Sequence, residues 1–344
     1  MEADFVPMRC PIVVRIPLDC PRQSPFVLLE WQTVATHATD LPKQRIVFAL
    51  AFAFFSVFPV VLKFDAGEPV SCVEFAAMSK KVFVGTMGWA YSDWNGVFYP
   101  EGMAAKEAIS QYATVFETVE IDSTFYGTPR ESTVLQWRDA VPDGFTFCPK
   151  VPRLITHEMG LRDCEEQLRE FVDVIAKLGD KRGVMLLQMP PSFTRENLLD
   201  LERFLPTLEA VRDETAKFAI EFRHASLIGD DVNGLLTRHS VALASTDYSR
   251  TQARYEETAE FVYVRLIGHH GAYEQHKALQ GDHSGRIKRW TDKLKASAEA
   301  GRDAWVLCND DYEGYAPATA NRVKAMLGQE TIDKPKTEQL NLFE

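Results

Sequence analysis

Organised cysteine is missing from this chain. Its six cysteines (Cys10, Cys20, Cys72, Cys148, Cys164 and Cys308) form no CxxC pair and no zinc-ligand spacing. That excludes a disulfide-stapled module and the common zinc folds, and it points to reduced thiols in a cytoplasmic protein. Phosphate-binding glycine loops are missing too, since neither GxGxxG nor GxxxxGKS/T occurs, which removes the usual dinucleotide and P-loop signatures. His157 and Glu158 are not followed by the second histidine of HExxH. Positive charge is in deficit: the formal charge is −11 and the pI about 5.3. Broad, non-specific coating of nucleic acid or anionic membrane is therefore disfavoured, although a local cationic pocket is not.

What remains is a chain of 344 residues, 46% hydrophobic and 25% charged, enough to bury a core without metal or disulfide staples. Residues 1–77 are rich in proline and lack clear periodicity. They contain IVFALAFAFFSVFPVVL at 46–62, flanked by Lys43, Arg45 and Lys63 and interrupted by Pro59. A membrane span takes about 20 apolar residues, so this run only reaches the lower limit. Three readings stand: a start placed upstream of a true one at Met78, a membrane or targeting segment, and a packed accessory segment. Membrane association through 46–62 is thus the alternative to a cytoplasmic location. The expected domains are a 1–77 extension, a patterned unit over 78–330 and a tail over 331–344.

From Lys81 onward strand-like runs alternate with helical ones. Strands are expected near 82–88, 118–124, 145–150, 183–189, 218–223, 241–247, 261–267 and 304–310. Between them lie helices over 104–116, from Pro129 behind a Thr128–Glu131 capping box, over 164–178 and 194–212, near 285–300, and from Pro317 to Leu327. Eight strand–helix units in about 250 residues predict an α/β fold, a (β/α)8 TIM-like barrel behind a poorly patterned N-terminal extension. The alternative is an open doubly wound sheet.

Such a barrel gathers polar strand ends at one mouth. The ligand-binding candidates are Trp89, Tyr91, Tyr126, Lys150, Gln188, Arg223, Asp247, Arg265 and Asn309, and the proton-transfer candidates are Asp122, Glu221 and His224. Lys150, Arg153, Arg223 and Arg265 suit carboxylate or phosphate oxygens. The competing account pairs them with Glu120, Asp122, Glu221 and Asp247 inside the fold. Trp89, Tyr91 and Tyr126 offer a stacking wall, or else a plug of core. His157 is a further candidate for proton transfer. His269, His270, His276 and His283 share one long loop, read as a lid, a metal site or a solvated segment. Asp122, Glu221, His224 and Asp247 form a candidate set for a divalent metal, with no spacing to enforce it, so the cofactor is left unassigned.

Six segments occur in order: GTMGWAYSDWNGVFYP, VEIDSTFYGTP, FTFCPKVPRLITH, LLQMPPSF, EFRHASL and YVRLIG. Together they resemble the YecE-like family, a domain of unknown function, over about 81–328. The resemblance implies the barrel and brings no reaction with it. The chain departs from the family pattern at Ile267, where that pattern has a histidine, and at Asp310, where paired asparagines are usual. The leading expectation is an enzyme (hydrolase, isomerase or lyase) acting on an anionic small molecule such as a phosphorylated sugar or nucleotide. A nucleic-acid-binding or metal-assisted repair protein, and a non-catalytic metabolite-binding protein, are the alternatives.

Overall fold

The computed structural model describes residues 80–335. The readings made for residues 1–77, including the apolar run 46–62, lie outside the described residues, as do residues 336–344 of the tail. Among the described residues no helix is long and apolar enough to cross a membrane.

The strands are β1 (Val82–Met87), β2 (Thr118–Ile121), β3 (Thr146–Pro149), β4 (Val184–Gln188), β5 (Lys217–Glu221), β6 (Ala242–Leu243), β7 (Ser245–Tyr248), β8 (Phe261–Gly268) and β9 (Asp303–Cys308). The helices are α1 (Ala108–Tyr112), α2 (Glu131–Asp139), α3 (Glu165–Ile175), α4 (Leu198–Val211), α5 (Asp230–Arg238), α6 (Ser284–Glu299), α7 (Asp310–Glu313) and α8 (Ala316–Leu327). Every named strand pair is parallel. The result is an α/β fold of two parallel sheets, ordered β3-β2-β1-β9-β8-β7 and β4-β5-β6.

The ladders do not close into the single ring expected from the sequence, and each break has a local cause. Between β3 and β4 only the isolated bridges Phe147–Arg182 and Lys150–Leu186 remain. The amides of Thr146 and Lys150 bond to β2, at Glu117 and Ile121, while the Val151 amide bonds to Leu186 on β4. By alternation Pro149 faces β4, where it has no N–H to give. On the other side β6 and β7 are separated by Ala244 alone. There the Leu243 amide bonds to Thr258 Oγ1 at 2.7 Å, a loop side chain in place of a ladder partner.

Alternation along the strands builds two cores. Met185, Leu187, Phe218, Ile220, Val262, Val264, Leu266, Ala304 and Val306 pack on the side that carries the helices' apolar stripes. Val184, Leu186, Ala219, Tyr263, Ile267, Trp305 and Leu307 form a second cluster on the opposite face. Period-two geometry demands this division. Gly85 permits the closest strand contact: a Cβ there would lie 1.9 Å from the Thr118 carbonyl oxygen.

The helices follow their sequence signals with one shift. Thr194 caps the 194–211 segment through a capping box with Asn197. Gly179 (φ 58°) ends the α3 region, and Gly328 closes α8 in the left-handed conformation. The expected Thr128–Glu131 box does not form, because Arg130 stays extended (ψ 142°) and α2 starts at Glu131.

Candidate functional site

Strand alternation decides which charged residues meet. Val119 and Ile121 face the helices, so Glu120 faces the other way; Phe147 faces the helices, and Cys148 and Lys150 do not. The same parity applies to Gln188 after Val184 and Leu186, to Glu221 after Ala219, and to Arg265 after Tyr263. These side chains converge at the ends where the parallel strands finish, the usual ligand-binding side of α/β sheets.

Glu120, fully buried, is at the centre. Its carboxylate takes two hydrogen bonds from Arg265, Nε at 2.9 Å and Nη2 at 2.7 Å. It takes a third from Tyr263 Oη at 2.9 Å, and Lys150 Nζ lies 3.4 Å away. Arg265 also pairs with Glu221, and Arg223 pairs with the other oxygen of Glu221. Gln188 Oε1 accepts from Arg265 at 3.2 Å and from Arg223 at 3.3 Å. Lys150 reaches Asp122 as well. Three carboxylates thus face three cations in a neutral lattice. Burial alone would raise the Glu120 pKa, but Arg265 and Lys150 outweigh it and hold the carboxyl below its usual range. Burial likewise opposes the Arg265 charge, and Glu120 and Glu221 more than offset it.

The lattice has a sealed floor and an open edge. Arg265 and Glu120 are buried, whereas the Lys150, Arg223 and Asp122 side chains keep 13%, 10% and 39% of their exposure. Arg223 stacks over the Tyr248 ring at 4.4 Å. Beside this edge a π-helical turn, Leu154–Glu158, carries His157. Burial lowers the His157 pKa, and Arg153, Arg223 and Lys150 lower it further, with Glu158 opposing. The imidazole therefore sits in a positive field.

The remaining predicted residues are placed elsewhere. Asp247 has the opposite parity to its neighbour Tyr248 and faces the helices. There it accepts from Arg286 Nε at 3.0 Å, Trp290 Nε1 at 2.9 Å and Tyr312 Oη at 2.8 Å. His224 is exposed and caps its own turn, its Nδ1 2.7 Å from Ser226 Oγ. Asn309 caps α7 by accepting from the Asp311 amide at 3.0 Å. Trp89 packs edge-on against Trp137 and Phe147. Tyr126 is 79% exposed, with Phe125 edge-on beside it. Tyr91 donates to the Met87 carbonyl at 2.7 Å. Its pKa is raised by burial and then by Asp122, Asp310, Glu120 and Asp311, so its hydroxyl sits in a negative field.

Each of the four loop histidines has a polar or aromatic neighbour, while His269 and His270 stay exposed to solvent. His269 meets Ser249, His270 and His276 meet Asp311, and the His283 ring lies edge-on to Tyr312. Among the described residues no group of three or more His, Cys, Asp or Glu side chains is placed to hold a metal ion. Glu120, expected as a pairing partner, is the centre of this lattice, and Tyr263 is a member that strand-end position does not single out. The two-residue spacing of Tyr263 and Arg265 was the signal that placed both on one face.

A cavity of about 440 Å³ lies at the opposite end, where the strands begin, lined by Lys81, Phe116, Glu117, Phe145, Lys324 and Ile332. Volume and chemistry disagree here. The charges converge at the other end, and strand-start ends of parallel sheets serve stability more than function.

Comparison with known proteins bears out the resemblance drawn from the strand-end motifs. A family profile described as "Protein of unknown function DUF72" matches residues 83–341. The chain is 31% identical over 143 residues to UPF0759 protein YecE of Escherichia coli (strain K12), a match covering 42% of this chain and only about half, 48%, of that protein. It is 23% identical over 289 residues to UPF0759 protein YunF of Bacillus subtilis (strain 168), covering 76% of this chain and all of that one. In structure it is similar to a DUF72 family protein of Thermotoga maritima MSB8, with TM-score 0.62 and 25% identity over 72% of this chain and 100% of that one. A DUF72 family protein of Enterococcus faecalis V583 shares the fold, with TM-score 0.58 and 19% identity over 73% of this chain and 99% of that one.

Proposed function

The chain belongs to the DUF72 family, and on that premise we propose that it is an enzyme acting on an anionic small molecule at the C-terminal ends of its strands. One observation carries this reading. Lys150, Arg153 and Arg223 approach His157 from two different strand ends, while Arg265, the fourth cation of the expected set, is consumed by the buried lattice. Arg265 therefore sets the floor. Lys150 and Arg223, partly accessible at its edge, take a phosphate or carboxylate. His157, kept unprotonated at neutral pH by burial and its cationic neighbours, accepts a proton. Asp122, the most exposed carboxylate of the lattice, is its partner in proton transfer. A phosphorylated sugar or nucleotide suits this set, and the chemistry is hydrolysis, isomerisation or elimination.

The supporting architecture is a (β/α)8-type barrel whose wall passes from β3 to β4 through the two isolated bridges and from β6 to β7 across Ala244. Cysteines without disulfide or zinc-ligand spacing favour the cytoplasm. The test is calorimetry with a panel of phosphate and carboxylate monoanions against wild type, Arg223→Ala and Lys150→Ala. Affinity should fall at least about tenfold, the loss of one charge-assisted contact, with circular dichroism unchanged. Equal affinity in both variants would remove the site.

A further inference from the structure

The edge of the site is electrically divided. One side gathers the cations Lys150, Arg153 and Arg223 around His157, with Arg153 also paired to Glu158 at 3.2 Å. Around Tyr91 lies the opposite: Asp122 from the end of β2 and Asp310 and Asp311 from the end of β9, with Asp93 of the turn after β1 joined to Asp311 through His276. Asp122 has Lys150. Among the described residues no lysine or arginine pairs with Asp93, Asp310 or Asp311; the ionic partners of Asp93 and Asp311 are imidazoles, and Asp310 has none. His276 lies 3.8 Å from Asp93 and 3.4 Å from Asp311, and His270 lies 3.3 Å from Asp311.

Asp310 is the member that points to a ligand. It is more than nine-tenths buried. Its Oδ1 accepts from Trp94 Nε1 at 3.2 Å and from the Ala316 amide at 2.7 Å. Its Oδ2 is enclosed and has no hydrogen-bond partner. Buried acceptors are rarely left unmet, and an unmet carboxylate oxygen is a ready place for a donor. The neighbouring donors do not serve it: Tyr91 is spent on the Met87 carbonyl, and the His276 nitrogens lie nearest Asp93 and Asp311.

Building on the anion reading above, we propose that the substrate is zwitterionic: its phosphate or carboxylate lies on Lys150 and Arg223, and a protonated amine of the same molecule lies on Asp310 and Asp311. An ammonium group brings up to three donors and one positive charge, which matches an unmet carboxylate oxygen beside a second carboxylate. A purely anionic ligand leaves that side of the site unused and is repelled by it.

The probes are aminoalkyl phosphates of two, four and six carbons, each paired with its hydroxyalkyl counterpart, with inorganic phosphate as reference, measured by calorimetry on the full chain. At least one amine should bind about tenfold or more tightly than its hydroxyl partner. Asp311→Asn and Asp310→Asn should erase that preference, with hydroxyalkyl phosphate affinity equal or tighter because a repelling charge is gone. Because Asp310 also anchors Trp94 and α8, Asp311→Asn is the variant that decides if Asp310→Asn does not fold. Phosphate binding with no amine preference at any length overturns the zwitterion and leaves the anion site standing. Absence of binding by every phosphate probe overturns both.

Discussion

Replacing Glu120 by Gln tests the buried lattice most directly. The substitution keeps the shape and removes one charge from a fully enclosed position. The amide can accept through one oxygen only, and it turns its NH2 toward donors: Arg265 Nε and Nη2, Tyr263 Oη and Lys150 Nζ all face the present carboxylate. Arg265 keeps Glu221 and Gln188 but is left with one carboxylate. Breaking a buried pair by removing one partner costs about 3–5 kcal/mol. Urea unfolding followed by fluorescence should show a lowered midpoint at unchanged slope, the sign of lost stability without a changed unfolded state. Wild type should also lose this contribution on acidification, since a carboxyl held below its usual range stabilises the fold above the unfolded pKa and ceases to do so as pH falls through the folded value. Glu120→Gln should lack that acid limb. The double variant Glu120→Gln, Arg265→Gln should be more stable than the sum of the single losses allows, because the charge left stranded by either alone is gone. A single-variant loss below about 1 kcal/mol, typical of exposed pairs, would refute the claim that these residues form a desolvated network.

Burial raises the Asp310 pKa from 3.8 to about 6, so folding favours its protonated form. Its contribution is full below about pH 4 and is lost as pH rises toward 6, up to about 3 kcal/mol. Asp310→Asn should remove that limb from a plot of stability against pH. Asp247→Asn should weaken the anchor of α6 at Arg286 and Trp290, and of α7 at Tyr312, by about 2–4 kcal/mol. Faster hydrogen exchange over 284–299 would show it, and unchanged exchange would contradict it. Gly85→Ala should force β1 from β2, costing about 3 kcal/mol or more through overpacking against backbone; a midpoint equal to wild type would mean the strands can part freely. His224→Ala should leave anion affinity within about twofold, since its ring is spent on Ser226, an effect smaller than that of one charge-assisted contact.

Local order was readable in the chain itself. Period-two runs placed the strands to within a few residues, Gly179 marked a helix end, and Thr194 marked a start, because these signals act over a single turn. The convergence of Asp122, Lys150, Gln188, Glu221, Arg223 and Arg265 also followed from strand-end position. Parity was legible but unused for Asp247, whose odd register beside Ala242 and Ala244 turns it toward α6. Three things belonged to tertiary structure alone. Partner choice among the charges depends on distances between strands far apart in sequence, so only the fold shows that Arg265 is absorbed by Glu120 and Glu221 while Arg223 and Lys150 keep an open edge. The breaks in the sheet depend on which neighbour Pro149 and Leu243 face. The division of the site into cationic and acidic sides is a sum of fields from β1, β2, β3, β5 and β9, and electrostatic sums of that kind exist only once the strands are side by side.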